Sequence, residues 1–349
     1  MTDYEKPSMT RTKIGICIPT SRMGAVSSFA KRWEEVLHHS VKQNISFSVY
    51  IHEDAPLRTS HVCFPSASKV LHTCQQDLEE MLGENHWIIP RKSGACRSFP
   101  MYLAWKDRCD FILTLDDDCY PLDDNSNSFF TQHLDAFKTD RWFRTISGFK
   151  PRGVPYTDRG TLPVILNHGV WLGEPDLDGP TSLTTSEASS KVVLRANREV
   201  IPPGMYFPLC AMNVCYHRSA LPAAYNLLMG MDLCGFDRFD DIWSGLFLKC
   251  IADHLGLYIT NGLPFVYHAK ASNPFVNNQK EAFGIRIHEF FWRHIAKTQL
   301  SASNISGCYA ELAEQVKCFP KEFPEAPVDD DYFERLGTAM HTWLTLFNE

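Results

Sequence analysis

Three consecutive carboxylates, Asp116, Asp117 and Asp118, come directly after the almost wholly apolar run Phe111-Ile112-Leu113-Thr114-Leu115. Extended chain alternates its side chains, so a strand running into the triplet turns Asp116 and Asp118 to one face and Asp117 to the other. Hard divalent cations such as Mg²⁺ and Mn²⁺ take a few such oxygens and complete their shell with ligand phosphates. An isolated acidic triplet reads as well as a solvated turn. Here an apolar strand leads in and Cys119-Tyr120-Pro121 leads out, so the acids emerge from a buried element, which favours a metal anchor.

Other residues have chemistry to offer. His268 closes the apolar run Leu263-Pro264-Phe265-Val266-Tyr267, and Lys270 follows it with a charge suited to a phosphate. Arg152 and Arg159 stand in Pro151-Arg152-Gly153-Val154-Pro155-Tyr156-Thr157-Asp158-Arg159-Gly160. Guanidinium forks match diphosphate oxygens, and the adjacent glycine lets backbone approach closely; exposed loop arginines are the bland alternative. Trp171, in His168-Gly169-Val170-Trp171, offers a face to a sugar or base, or else packs in the core. Asp240 and Asp241 lead into a helix, where acids favour the helix dipole or, alternatively, orient sugar hydroxyls and act as a base.

The elements that must position these groups read as alternating strands and helices. Ile14 to Ile18 is a β-branched strand stopped by Pro19-Thr20-Ser21-Arg22, and Phe29 to Val41 reads as a helix. In the next strand Ile45, Phe47, Val49 and Ile51 share a face, and it ends in His52-Glu53-Asp54. A third short strand is expected at His86 to Pro90, a helix at Met101 to Arg108, then the strand that ends in the triplet. This pattern predicts an α/β fold with an open, mostly parallel sheet, whose ligands bind beyond the carboxyl ends of the strands. Both acidic ends, Glu53-Asp54 and Asp116 to Asp118, fall there. From Thr139 to Pro208 the chain reads as irregular, with strands around Val164 and Val192 to Leu194; helices are expected at Ala220 to Met229 and Ile242 to His254. Strand-like Leu257 to Thr260 and Phe265 to His268 follow, and the chain is largely helical after Asn278, with amphipathic stretches at Ala310 to Val316 and Tyr332 to Phe347. The expected division is a polar tail over 1–12, a catalytic domain over 13–280 and a helical extension over 281–349.

Composition excludes several classes. The 349 residues carry 44% hydrophobic side chains and a net charge of −7 without long blocks of like charge, so nucleic acid is not an expected partner. No run of eighteen apolar residues occurs and no signal peptide is read, so no integral membrane segment is expected. The 12 cysteines are scattered singly through apolar stretches, as buried thiols are, and no pair has zinc-knuckle spacing. A reducing cytoplasm is the expected compartment.

Taken together, the chain resembles the reversibly glycosylated polypeptide family, whose active members are UDP-arabinopyranose mutases. The likeness runs in fixed order through Ile18-Pro19-Thr20, Ser93-Gly94-Ala95-Cys96-Arg97, Leu115 to Cys119, His168 to Leu172 with Pro175-Asp176, and Phe207 to Asn213. It continues through Phe239 to Gly245, Asp253 to Leu257 and Tyr267 to Val276. The resemblance implies a fold like that of GT-A glycosyltransferases, a UDP-sugar substrate, and Mn²⁺ or Mg²⁺ held by Asp116, Asp117, Asp118 and His268. It places the family's glycosylated arginine on Arg152 and its second required arginine on Arg159, within a context that departs at Val154, Tyr156, Thr157, Asp158, Gly160 and Thr161. The expected catalytic set is Arg152, Arg159, Asp240 and Asp241. The expected UDP-sugar contacts are Pro19, Thr20, Arg22, Glu53, Asp54, Arg97, Asp116, Asp117, Trp171 and Lys270. Three functions remain open at this level: the mutase, a transferase acting on an acceptor or on itself, and a silent partner subunit of an active homologue. Homo- or hetero-oligomers with homologous subunits and peripheral association with the cytosolic face of a membrane are likewise left open.

Overall fold

The computed structural model describes residues 11–348 apart from 60–61, 123–127, 144, 146–148, 158, 175, 185–197, 270–272 and 327–328. Lys270 and the strand expected at Val192 to Leu194 lie outside the described residues. The first half follows the alternation of the sequence: β1 is Thr12–Thr20, α1 Met23–Val41 and β2 Ile45–Glu53. An unexpected strand, β3 at Lys69–Thr73, comes next. It is the sheet's edge, where Lys69 and Val70 face solvent, so it lacks the apolar alternation of a half-buried strand.

After α2 (Gln75–Leu82), the stretch expected to be a strand at His86 to Pro90 is instead a 3₁₀ turn, Gly83–Ile88. Ile88 and Ile89 are buried, and the Tyr225 hydroxyl donates to the Ile88 carbonyl, so their apolar character serves core packing rather than a sheet. Then come α3 (Ser98–Lys106), β4 (Phe111–Leu115), β5 (Cys119–Pro121), α4 (Phe129–Ala136), β6 (Val164–Gly173), α5 (Gly179–Thr184) and β7 (Glu199–Val200). β8 (Asn213–His217) is followed by a 3₁₀ turn, Arg218–Ala223, where a longer helix was expected; Pro222 cannot continue an α-helical ladder. The chain closes with α6 (Met231–Cys234), α7 (Asp240–Leu255), β9 (Tyr258–His268), α8 (Pro274–Ala296), α9 (Ile305–Glu322) and α10 (Asp330–Thr345). The two strand-like pieces expected near residue 260 are thus one strand.

Among the described residues the strands form one sheet in the order β3-β2-β1-β4-β8-β6-β9-β5, with β7 beside β9. β3, β2, β1 and β4 are mutually parallel, β6 and β9 are parallel, and β8 is inserted antiparallel between β4 and β6. The pleat sorts side chains to two cores. Ile14, Ile16, Ile18, Phe47, Val49 and Ile51 join α1 and α4 on one face, while Cys17, Tyr50 and Ile112 join α3, α7 and the C-terminal helices on the other. No helix among the described residues is long and apolar enough to cross a membrane.

The C-terminal helices share their core with the sheet. Fully buried Trp343 on α10 stacks on Tyr225 at 5.3 Å and donates through Nε1 to the Leu221 carbonyl at 3.3 Å. Trp343→Ala is expected to cost about 3–5 kcal/mol by cavity formation. Chemical denaturation should lose midpoint in a single transition of the whole chain; a separate C-terminal transition that leaves the main one in place would contradict the shared core.

Candidate functional site

Asp116, Asp117 and Asp118 form the turn that ends β4, closed by the Cys119 amide donating to the Asp116 carbonyl at 3.0 Å. Register explains how a histidine 150 positions later meets them: β5 pairs antiparallel with β9 so that Cys119 lies opposite His268. The Ala269 amide then donates to the Asp118 carbonyl at 3.1 Å. The Asp118 Oδ1 to His268 Nε2 distance is 3.9 Å.

The other imidazole nitrogen, Nδ1, lies 2.9 Å from the Glu174 carbonyl. A carbonyl only accepts, so Nδ1 carries the proton and Nε2 presents its lone pair toward Asp118, as a metal-ligating histidine requires. Asp116 is turned toward Arg97, whose Nη2 lies 2.6 Å from Asp116 Oδ1. Asp117 faces the other way, as the alternation predicts: it is buried, accepts from the Thr20 hydroxyl at 2.5 Å and is paired with Arg22, which also reaches Asp118 at 3.2 Å. Burial raises the Asp117 pKa, against the opposing pull of Thr20 and Arg22. Among the described residues no group of three or more His, Cys, Asp or Glu side chains is gathered at metal-binding distance. The donors that fit a divalent ion are therefore the pair Asp118 and His268, one carboxylate oxygen and one imidazole lone pair, with Asp116 beside them. That small protein set is what an ion completed by substrate phosphates needs.

Asp116, Asp118 and His268 open into a cleft of about 730 Å³ whose lining includes Arg97, Asp240, Asp241 and Gly94. Asp240 and Asp241 begin α7; the Ala211 amide donates to Asp241 at 3.0 Å. Burial pushes both carboxyls up, Asp241 to about 6; the neighbouring Asp241 charge adds to the rise at Asp240, and Asp176 adds to that at Asp241. Asp241 can thus hold or release a proton near neutrality. Between pH 3.8 and about 6 the folded Asp241 keeps a proton that the unfolded chain has released. Stability is therefore lost as pH rises through that window. Without ligands, Asp241→Asn should melt progressively higher than the parent as pH rises from about 4 to about 7; parallel melting curves would contradict the raised pKa.

The structure places the remaining expected residues as follows. Glu53 is buried and already accepts from Thr59 and lies 3.0 Å from His72 Nε2, while Asp54 accepts from the Lys92 amide at 2.8 Å and pairs with Arg91. Pro19 and Thr20 end β1, one pairing beyond Asp117 through the Thr20 hydroxyl. Trp171 packs beside His168 at 5.8 Å and against the α1 core, outside the cleft lining. Arg152 is exposed, and Arg159 lays its guanidinium over the Tyr156 ring at 3.7 Å; neither lines the cleft.

Three cleft residues, Asp176, Arg238 and Glu281, were given no role from the sequence. Arg238, left-handed at φ 73°, pairs with Glu281 at 2.5 Å and Asp176 at 3.5 Å, tying α8 to the loop after β6. Nothing in their local spacing sets them apart; only their convergence across 62 and 43 positions marks them.

Residues 9–349 match the profile of the reversibly glycosylated polypeptide family. The chain is 36% identical over 297 residues to UDP-arabinopyranose mutase 1 of Arabidopsis thaliana, covering 79% of this chain and 78% of that one. It is likewise 36% identical over 297 residues to a protein named probable UDP-arabinopyranose mutase 1 from Solanum tuberosum, with 79% and 76% covered. A protein named probable UDP-arabinopyranose mutase 4, from Arabidopsis thaliana, is 30% identical over 351 residues, spanning 96% of this chain and 90% of its own.

Proposed function

The chain belongs to the reversibly glycosylated polypeptide family, and on that premise we propose that it is a metal-dependent mutase that interconverts UDP-arabinopyranose and UDP-arabinofuranose. The observation that carries the reading is the meeting of Asp118 and His268 on the wall of a cleft that also holds Asp240 and Asp241, in a chain whose relatives bear that name.

Contraction of the ring requires the bond between the anomeric carbon and the diphosphate to break, with its electron pair leaving on UDP, and later to re-form. Asp118 and His268, with Asp116 beside them, are the residues that would hold Mn²⁺ or Mg²⁺; Asp117, expected to join them, faces away and is bound by Thr20 and Arg22. Such an ion supplies charge stabilisation to the departing diphosphate. Arg97 pairs with Asp116 at 2.6 Å and holds it at the edge of the cleft. With UDP departed, the O4 hydroxyl bonds to the anomeric carbon as it gives up its proton, and the old bond from that carbon to O5 breaks with its electron pair on O5, which takes up a proton; UDP then returns to the anomeric carbon of the furanose. The two proton transfers balance, so one carboxyl can carry the proton between them, and Asp241, pushed up to about 6 beside the buried Asp240, is suited to it. Arg152 and Arg159 lie outside the cleft of their own chain; a guanidinium stays protonated to a pKa of about 12 or more, so stabilisation of departing charge, rather than nucleophilic attack, is the role such groups would fill on reaching it. Thr20 and Arg22 orient Asp117, and Pro19, Glu53 and Asp54 lie at the adjacent strand ends suited to the base. The 12 cysteines, all thiols, suit a cytoplasmic setting.

Incubation of the purified protein with UDP-arabinopyranose and Mn²⁺, followed by separation of the nucleotide sugars, tests the proposal. Appearance of UDP-arabinofuranose is expected. Free UDP with a gain in intact-protein mass would indicate transfer instead, and an unchanged mixture at high enzyme would sink both.

A further inference from the structure

We propose that the reaction centre is completed by a second copy of this chain, whose Arg152 and Arg159 enter the cleft from outside; the inference rests on the mutase reading above. The first observation is charge. Among the described residues the cleft is lined by nine carboxylates against three Lys or Arg. Each of the three is already paired: Arg97 with Asp116 at 2.6 Å, Arg238 with Glu281 at 2.5 Å, and Lys280 with Asp237 at 3.8 Å. Protonation of Asp240 and Asp241 relieves part of the excess, and one divalent ion offsets about two charges. A diphosphate brings about two more negative charges, so the loaded cleft calls for further cations.

The second observation is the segment between Asp140 and Thr161. It exposes Phe143 at 87%, Phe149 at 73% and Tyr156 at 87%, together with exposed Arg152 and with Arg159 stacked on Tyr156. Aromatic and arginine side chains are the ones enriched at protein interfaces, and large aromatics held in water on one short segment mark a surface built for a partner. Its basic character complements the acidic cleft.

The third observation is distance. The stems of the segment are tied where β6 begins, through the Leu162 amide donating to the Thr139 carbonyl at 2.8 Å and the bridge between Asp140 and Thr161. β6 runs parallel to β9 with Val164 opposite Tyr258 and Gly173 opposite His268. The stems and His268 thus lie at opposite ends of a strand roughly 30 Å long at 3.3 Å per residue. Two copies related by a twofold axis exchange two loops for two clefts, a closed arrangement that satisfies both.

The test is complementation. Asp118→Asn and the double variant Arg152→Ala/Arg159→Ala are co-expressed with different tags, and the mixed species is purified through both. Each variant alone is expected to be inactive. The mixed dimer pairs one intact cleft with one intact loop and should regain about half the wild-type rate. A mixed species that stays inactive, or failure of the two variants to co-purify, overturns completion by a second copy. Full activity of either variant alone would instead defeat the assignment of that residue in the mutase reading. In a second measurement, Phe149→Asp, at an exposed position, should sediment as a monomer and lose turnover with its fold intact by circular dichroism. An associated and active Phe149→Asp protein, or a fully active wild-type monomer, also overturns the inference.

Discussion

Asp118→Asn is expected to lower turnover about a thousandfold, the scale of the several kcal/mol that a Lewis acid contributes to a departing diphosphate. The substitution keeps shape and removes charge. Its neighbour His268 retains its Nδ1 bond to the Glu174 carbonyl, so the imidazole lone pair stays in place and only one donor is lost. Two readouts separate the causes. Mn²⁺ titration followed by electron paramagnetic resonance should show weakened binding, and thermal melting without metal should be little changed, because among the described residues Asp118 pairs with the partly exposed Arg22 and, at 3.9 Å, with His268. Unaltered Mn²⁺ affinity would remove Asp118 from the metal site, whatever happened to the rate.

Gly94→Ala carries the second large effect. A Cβ at Gly94 would lie 2.0 Å from Asp240 Oδ2 and 2.3 Å from its Cγ, so the carboxyl at the start of α7 rests directly on the glycine. Gly94 also opens the 3₁₀ turn that carries Arg97, and that turn is pinned by Ser93, whose hydroxyl donates to the Met229 carbonyl at 2.5 Å. Relief of the clash requires a shift of the Asp240 carboxyl or of the turn that carries Arg97. Overpacking of this kind costs about 1–3 kcal/mol in stability. A displacement near 1 Å among reacting groups costs about a hundredfold in rate. The cross-check is Gly94→Ala/Asp240→Ala, in which the obstructing carboxyl is gone. Stability, but not activity, should return toward that of Asp240→Ala alone. Additive losses in the double variant would mean that the glycine serves some other purpose.

Much of the fold was legible because local pattern and tertiary environment agree. The alternating Ile45, Phe47, Val49 and Ile51 do share one core, and the apolar run into Leu115 is the strand that delivers the acidic triplet. Legibility failed where an apolar stretch is buried without being in the sheet, as at Ile88 and Ile89, or where a strand lies at the edge and half in solvent, as at Lys69–Thr73. Periodicity registers which residues avoid water; it does not say which backbone groups satisfy one another. The antiparallel β8 was missed for a related reason: Asn213–His217 is buried on both faces, so nothing alternates.

The sequence by itself determined the chemistry on offer: a carboxylate triplet at a strand end with Asp117 facing away from its neighbours, a late histidine, an acidic pair opening a helix, and a family with its order of motifs. Those are properties of residue type and short spacing, which the two-residue repeat of a strand converts into direction. Only the tertiary structure decided which of these groups meet. Pairing of Cys119 with His268 across β5 and β9 brings Asp118 and the histidine together, and packing of α7 against the turn at Gly94 sets Asp240 and Asp241 over the same cleft. By the same token it left Arg152 and Arg159 outside that cleft, anchored at the other end of β6. Long-range register depends on the whole set of buried contacts and hydrogen bonds, and no window of neighbouring residues contains it.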